Sequence, residues 1–126
     1  MNVFDASAVL AVLNEEPGAA AVIALMAEPG GLIGAVNQSE VIAKLIDKGL
    51  SEDQATLAWS HLGLRVEPAT EATALAAGLL RKQTRPLGLS LGDRFCLALA
   101  RSLGGNVVTA DKAWKSLKGF RITMIR

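Results

Sequence analysis

Apolar and polar positions along the chain follow two rhythms. Short runs rich in apolar or β-branched residues, Asn2 to Asp5, Leu32 to Ala35, Leu64 to Glu67, Asn106 to Thr109 and Ile122 to Ile125, predict strands. Between them, apolar residues recur at helical spacing. A helix is expected from Ala6 to Asn14, and after the break at Pro17-Gly18 a second runs to about Ala27. Glu28 to Gly31 is a turn. Val41 with Leu45 and Ile42 with Ile46 define a helix from Asn37 to Lys48, closed by Gly49. Ser51 opens a helix through His61, and Thr70 caps one carrying Leu75, Leu79 and Leu80. Residues 85–89 read as a loop. Ser90 starts a helix with a stripe of Leu91, Phe95, Leu99 and Leu103, which Gly104-Gly105 ends. Asp111 to Leu117 is a short helix. Strand and helix alternate throughout, which implies an α/β domain of three layers, α/β/α, around a central, mainly parallel sheet of four to five strands.

Length and composition narrow this further. The 126 residues, 51% apolar and 20% charged, make one domain, 1–126, able to bury a core. No apolar run approaches the ~20 residues of a membrane span, and no basic segment leads into a signal-type core, so a soluble, cytoplasmic protein with no membrane role is expected. The single cysteine, Cys96, excludes an internal disulfide, and no Cys/His spacing fits zinc. The net charge of +1 hides an asymmetry: residues 1–63 hold two basic residues against eight acidic, and residues 64–126 hold eleven against four. A basic second half attracts phosphate, although solvated helix faces account for each residue singly.

Asp5, Glu40, Asp93 and Asp111 each sit where an apolar stretch meets a helix-starting sequence. Each has a structural reading. Asp5 and Asp111 are plausible N-caps, and Asn37-Gln-Ser-Glu40 and Ser90-Leu-Gly-Asp93 resemble capping boxes, the first the better match. Capping explains the acids one by one but not their common placement, because strand ends and helix starts line one edge of such a sheet. Carboxylates gathered there repel one another unless a cation neutralises them. Magnesium or manganese suits an all-oxygen site and supports phosphodiester hydrolysis by activating water. The reading therefore requires the four acids to meet in space.

In order and spacing, Asp5-Ala-Ser-Ala8, Asn37-Gln-Ser-Glu40, Leu89-Ser-Leu-Gly-Asp-Arg94 with Cys96-Leu-Ala-Leu-Ala100, and Thr109-Ala-Asp-Lys-Ala-Trp114 resemble the PIN-domain ribonucleases, specifically the VapC-type toxins of bacterial toxin–antitoxin pairs. The resemblance spans essentially the whole chain. It implies a PIN-like fold, a metal site of Asp5, Glu40, Asp93 and Asp111 binding Mg2+ or Mn2+, and endoribonuclease action on transfer RNA or other structured RNA. It further implies inhibition by a cognate VapB-type antitoxin, a homodimer, and contact with operator DNA only through the antitoxin. The alternative is a PIN-like domain that binds RNA or protein without cutting.

Secondary roles follow from position. Ser7 and Thr109 carry hydroxyls that can orient a carboxylate or serve as caps, and Asn37 either positions Glu40 or caps its helix. Arg94, Lys112 and Lys115 are candidate RNA contacts, with Arg94 able to point elsewhere on its helix. His61 reads as structural and Cys96 as core. Trp59 and Trp114 could stack on bases, but packing or a dimer contact is the simpler role. A receiver domain would need paired acids after the first strand, and a haloacid-dehalogenase-type phosphatase would need Asp-x-Asp there. Asp5-Ala-Ser7 supplies neither.

Overall fold

The computed structural model describes residues 1–126. Five strands, β1 (Asn2–Phe4), β2 (Leu32–Gly34), β3 (Arg65–Glu67), β4 (Asn106–Thr109) and β5 (Arg121–Met124), form one sheet in the order β3-β2-β1-β4-β5. Every neighbouring pair is parallel. The expected three-layer α/β/α architecture is present. All five strand ends therefore point to one edge, and the chain leaves β1 towards β2 on one side while β4 pairs on the other. That reversal beside β1 is where open α/β sheets place their ligands.

The strands' period of two assigns the layers. Val3 lies beside Leu32 and Val107 in register, and these three face one core with Cys96, Leu97, Leu99, Trp114 and Leu117. Phe4, beside Ile33 and Val108, faces the opposite core with Val9, Val22, Val41 and Leu45. The first core is closed by α5 (Glu71–Leu79), α6 (Arg81–Thr84) and α7 (Leu91–Leu103), the second by α1 (Ala6–Leu13), α2 (Ala19–Met26), α3 (Ala35–Asp47) and α4 (Glu52–Ser60). Because both faces are covered, the central strands are apolar on both sides rather than alternating.

Most helix ends match their sequence signals. Ser51 with Gln54 and Thr70 with Thr73 form reciprocal capping boxes, and Gly104 closes α7 in the left-handed conformation (φ 63°). Four expectations need correction. The third helix starts at Ala35, not Asn37, because Gly34 caps it in an extended conformation directly off β2. The Asn37/Glu40 capping box is consequently absent, whereas the looser Ser90/Asp93 match is a complete one. Residues 85–89 contain a 3-10 turn at Arg85–Leu87, and the last helix is a 3-10 helix over Lys112–Ser116.

The apolar stripes also divide differently from expectation. Leu75 and Leu79 are 66% and 76% exposed, and only Leu80 of that set is buried. On α7 the fully buried residues are Cys96 and Leu97, with Leu99 and Ala100 close to it, while Leu91 stands 58% exposed. Recurrence every four residues drifts around a helix of 3.6 residues per turn, so the Leu91 end of that stripe rolls out to solvent.

Candidate functional site

Asp5 follows β1 and caps α1, with Oδ1 accepting the Ala8 amide at 2.8 Å. It is 2% exposed. Three donors hold it: besides the amide, the Ser7 hydroxyl lies 2.8 and 2.9 Å from its two oxygens, and Thr109 Oγ1 donates to Oδ2 at 2.5 Å. Both hydroxyls also accept from the end of β4, Ser7 from the Ala110 amide at 2.9 Å and Thr109 from the Asp111 amide at 3.0 Å. The two central strand ends are thus laced together through one carboxylate. Burial raises the Asp5 carboxyl to about 6 from 3.8, against the lowering effect of these donors, and the Asp93 charge adds to the rise.

Thr109→Val preserves shape but removes a donor from Asp5 and orphans the Asp111 amide. It is expected to cost about 1–3 kcal/mol and to raise the Asp5 carboxyl further. Urea unfolding and carboxyl titration by NMR measure the two effects, and an unchanged Asp5 titration would refute the assigned hydrogen bond.

The other acids come from three further elements. Glu40 lies on α3 and Asp93 in the first turn of α7, where it completes the Ser90 capping box through Oδ2 at 2.9 Å. Asp111 follows β4 and caps the 3-10 helix, its Oδ1 accepting the Ala113 amide at 3.0 Å. Burial raises both the Glu40 and the Asp93 carboxyls; Asp93 repels Glu40, and Asp111 repels Asp93. Asp93 is therefore the acid that electrically links the other three.

Structural bonding and site chemistry are not alternatives here, because three of the four acids divide their oxygens, whereas Asp5 has both engaged. Glu40 Oε1, Asp93 Oδ2 and Asp111 Oδ1 carry the structural bonds, whereas Glu40 Oε2, Asp93 Oδ1 and Asp111 Oδ2 have no protein hydrogen bond. The two ion pairs of the chain, Arg65 with Glu67 and Arg126 with Glu16, lie elsewhere, and Lys44, one turn on from Glu40 along α3, lowers that carboxyl without outweighing its burial. An all-oxygen, negatively charged donor set with no salt bridge to it fits a hard divalent ion. The acids stand within electrostatic reach but are not drawn to coordination distance: no three His, Cys, Asp or Glu side chains form a group that could hold a metal.

The secondary residues are less uniform. Asn37 is 1% exposed and donates Nδ2 to Glu40 Oε1 at 2.8 Å and to the Gly92 carbonyl at 3.1 Å. Lys112 and Lys115 are exposed beside Asp111. Arg94 instead turns towards α5, donating to the Ala77 carbonyl at 3.1 Å with its Nε buried, which uses its guanidinium in helix packing. Trp114 is fully buried and Trp59 half-buried against the α1–α4 core, so Trp114 has no ring face to offer a base. His61 is exposed at the end of α4, and burial pushes the Cys96 thiol well up. Gly92, whose place against Glu40 matters below, escaped sequence reasoning. Its only signal was a glycine inside a helix that needs no turn there.

The sequence pattern of the PIN domain matches residues 3–119. The chain belongs to the PIN-domain family. Among solved structures, PIN-fold relatives include a toxin–antitoxin complex from Klebsiella pneumoniae (TM-score 0.79, 16% identity, covering 100% of this chain and 98% of that one). VapBC2 from Rickettsia felis, bound to a promoter DNA fragment, gives 0.78 at 14% identity over 98% and 97%. DNA-bound VapBC from Salmonella typhimurium gives 0.76 at 18% identity over 99% and 98%. These likenesses establish a shared PIN fold along nearly the full length of both chains. Comparison with curated proteins finds no match.

Proposed function

We propose that this PIN domain is the toxin endoribonuclease of a toxin–antitoxin pair and hydrolyses RNA phosphodiester bonds with Mg2+ or Mn2+. The observation that carries it is the set of acids gathered where β1 and β4 end, with three free carboxylate oxygens and no salt bridge to any of them. Asp5, Glu40, Asp93 and Asp111 would hold the ion. Bound there, it would supply activation of water and neutralisation of charge on the phosphate and leaving oxygen.

The chain's own residues do the remaining work. Ser7 and Thr109 fix the Asp5 carboxylate against rotation by engaging both oxygens. Lys112 and Lys115, exposed and outside any ion pair, attract the RNA backbone to the same edge. Transfer RNA or another structured RNA is the substrate class.

A cognate VapB-type antitoxin inhibits the toxin, and operator DNA is reached only through that partner. The relatives from Rickettsia felis and Salmonella typhimurium, VapBC complexes solved with DNA, support this. The exposed Leu75 and Leu79 on α5, with Leu91 on α7, support a covered surface in a homodimer. No helix is long and apolar enough to cross a membrane, and a cytoplasmic place suits an RNA substrate.

The test is expression without antitoxin, mapping new RNA 5′ ends for the parent and for Asp93→Asn, together with cleavage by purified protein with and without EDTA. Growth arrest and discrete ends that vanish in Asp93→Asn and in EDTA are expected, with at least a 100-fold loss of rate on the scale of removed electrostatic stabilisation. A folded Asp93→Asn that cuts as well as the parent refutes the proposal.

A further inference from the structure

Gly92 is a helical glycine with no backbone reason to be one. It is buried in the first turn of α7 and is not among the glycines with positive φ. In that conformation alanine would favour the helix by about 1 kcal/mol. The reason lies across the interface with α3. A Cβ built on Gly92 would fall within the Glu40 carboxylate, overlapping Oε1 and Cδ and lying 2.7 Å from Oε2. The carboxylate thus rests directly on the backbone of α7, one residue before Asp93.

Asn37 completes the contact from the other side. Its Nδ2 donates at once to Glu40 Oε1, one turn along α3, and to the carbonyl of Gly92 itself. The opposite amide orientation would aim Oδ1 at two acceptors, so the bonding pattern fixes it. Asn37 Oδ1 is left buried without a partner, a cost that the Nδ2 bonds must outweigh. One amide therefore holds both the acid and the surface on which it rests.

We propose that Gly92 and Asn37 are positioning residues that form a seat for the Glu40 carboxylate, bringing its free Oε2 beside Asp93 so that α3 and α7 contribute to one cation site. The inference rests on the metal reading above but reaches past the acids to a residue that carries no functional group. Glu40 comes from a helix off β2, away from the central pair of strands, and is the acid with the longest side chain. Its arrival depends on a gap in α7 that any larger residue closes. The seat also makes α3 and α7 a unit: moving either helix moves the carboxylate.

The test uses the full-length chain and two measurements, thermal unfolding in EDTA and Mn2+ binding by titration calorimetry. Gly92→Ala is expected to displace the Glu40 carboxylate from its bond with Asn37, and so to stabilise the parent less than it stabilises a Glu40→Ala background, where the clash is gone and only helix propensity remains. Mn2+ affinity should fall at least tenfold in Gly92→Ala and in Asn37→Leu. Adding Glu40→Asp to Gly92→Ala should recover part of it, because the shorter side chain withdraws from the added methyl. Gly92→Ala that stabilises the parent as much as the Glu40→Ala background, or that binds Mn2+ as the parent does, overturns the seat alone. A parent that binds no Mn2+ overturns the metal reading and the purpose of the seat with it.

Discussion

Asp5→Asn is expected to make the metal-free protein more stable at pH 7.5 while abolishing its cleavage of RNA. Folding lifts the Asp5 carboxyl from 3.8 to about 6, chiefly by burial. The native state therefore binds more protons than the unfolded chain between those values, and stability falls as pH rises through that window. Above it the ionised side chain carries a penalty of about 3 kcal/mol as an upper bound. Asparagine keeps the N-cap, since Asn and Asp rank together there, and its carbonyl can still accept the Ala8 amide, although its Nδ2 replaces the oxygen that accepts from Thr109 and gives back part of the gain. Removing the charge should return about 1–3 kcal/mol at neutral pH, each worth roughly 3–5 °C in a domain of this size. Thermal unfolding in EDTA at pH 5 and 7.5 measures it: the parent should lose stability between the two, and Asp5→Asn should lose much less. Excess Mn2+ should stabilise the parent and leave the variant unmoved. A parent that keeps its full stability between pH 5 and 7.5 would mean that burial of Asp5 is not costly.

Trp114→Ala should come close to unfolding the domain. Trp114 is the largest fully buried side chain, and it shares a core with Val107 of β4, Leu117 and residues of α5 and α7. Its removal leaves a cavity worth about 3–5 kcal/mol, much of the ~5–15 kcal/mol that holds a typical domain together. The effect reaches the site, because the Trp114 amide donates to the Asp111 carbonyl at 3.2 Å and the indole pins the 3-10 helix that Asp111 caps. Trp114→Phe should be far milder. It keeps most of the apolar volume and removes an indole N–H that has no partner. Urea unfolding followed by circular dichroism separates the two variants. Equal, small losses would place the ring outside the core.

The fold was legible because local and global signals agree. β1 and β4 read as apolar runs on both faces, as strands buried between two helical layers must, and Ser51, Thr70, Ser90 and Gly104 announce helix ends that the structure uses. What failed lies between layers. A capping box at Asn37/Glu40 fits sequence spacing, but Gly34 starts α3 straight off β2 and carries Asn37 into the interior. Arg94 follows an acid and reads either as a phosphate contact or as pointing elsewhere on its helix, and only its packing against α5 shows the bond to the Ala77 carbonyl. Gly92 could not be read at all, because its meaning is the space occupied by a residue 52 positions earlier. Spacing along one chain reports neighbours on an element. It does not report what two elements leave open between them.

The division of the Glu40, Asp93 and Asp111 carboxylates between a structural and a free oxygen has a genetic corollary. At Asp93 and Asp111 an amide keeps one acceptor for the cap and gives up the anion, whereas alanine gives up both. Two kinds of inactive protein follow, one intact and one damaged. An intact but inert chain still presents its surface to whatever binds it, and in a cell holding both kinds it would compete with the active chain for the same partner. Activity alone cannot tell these apart; sequestration of that partner can.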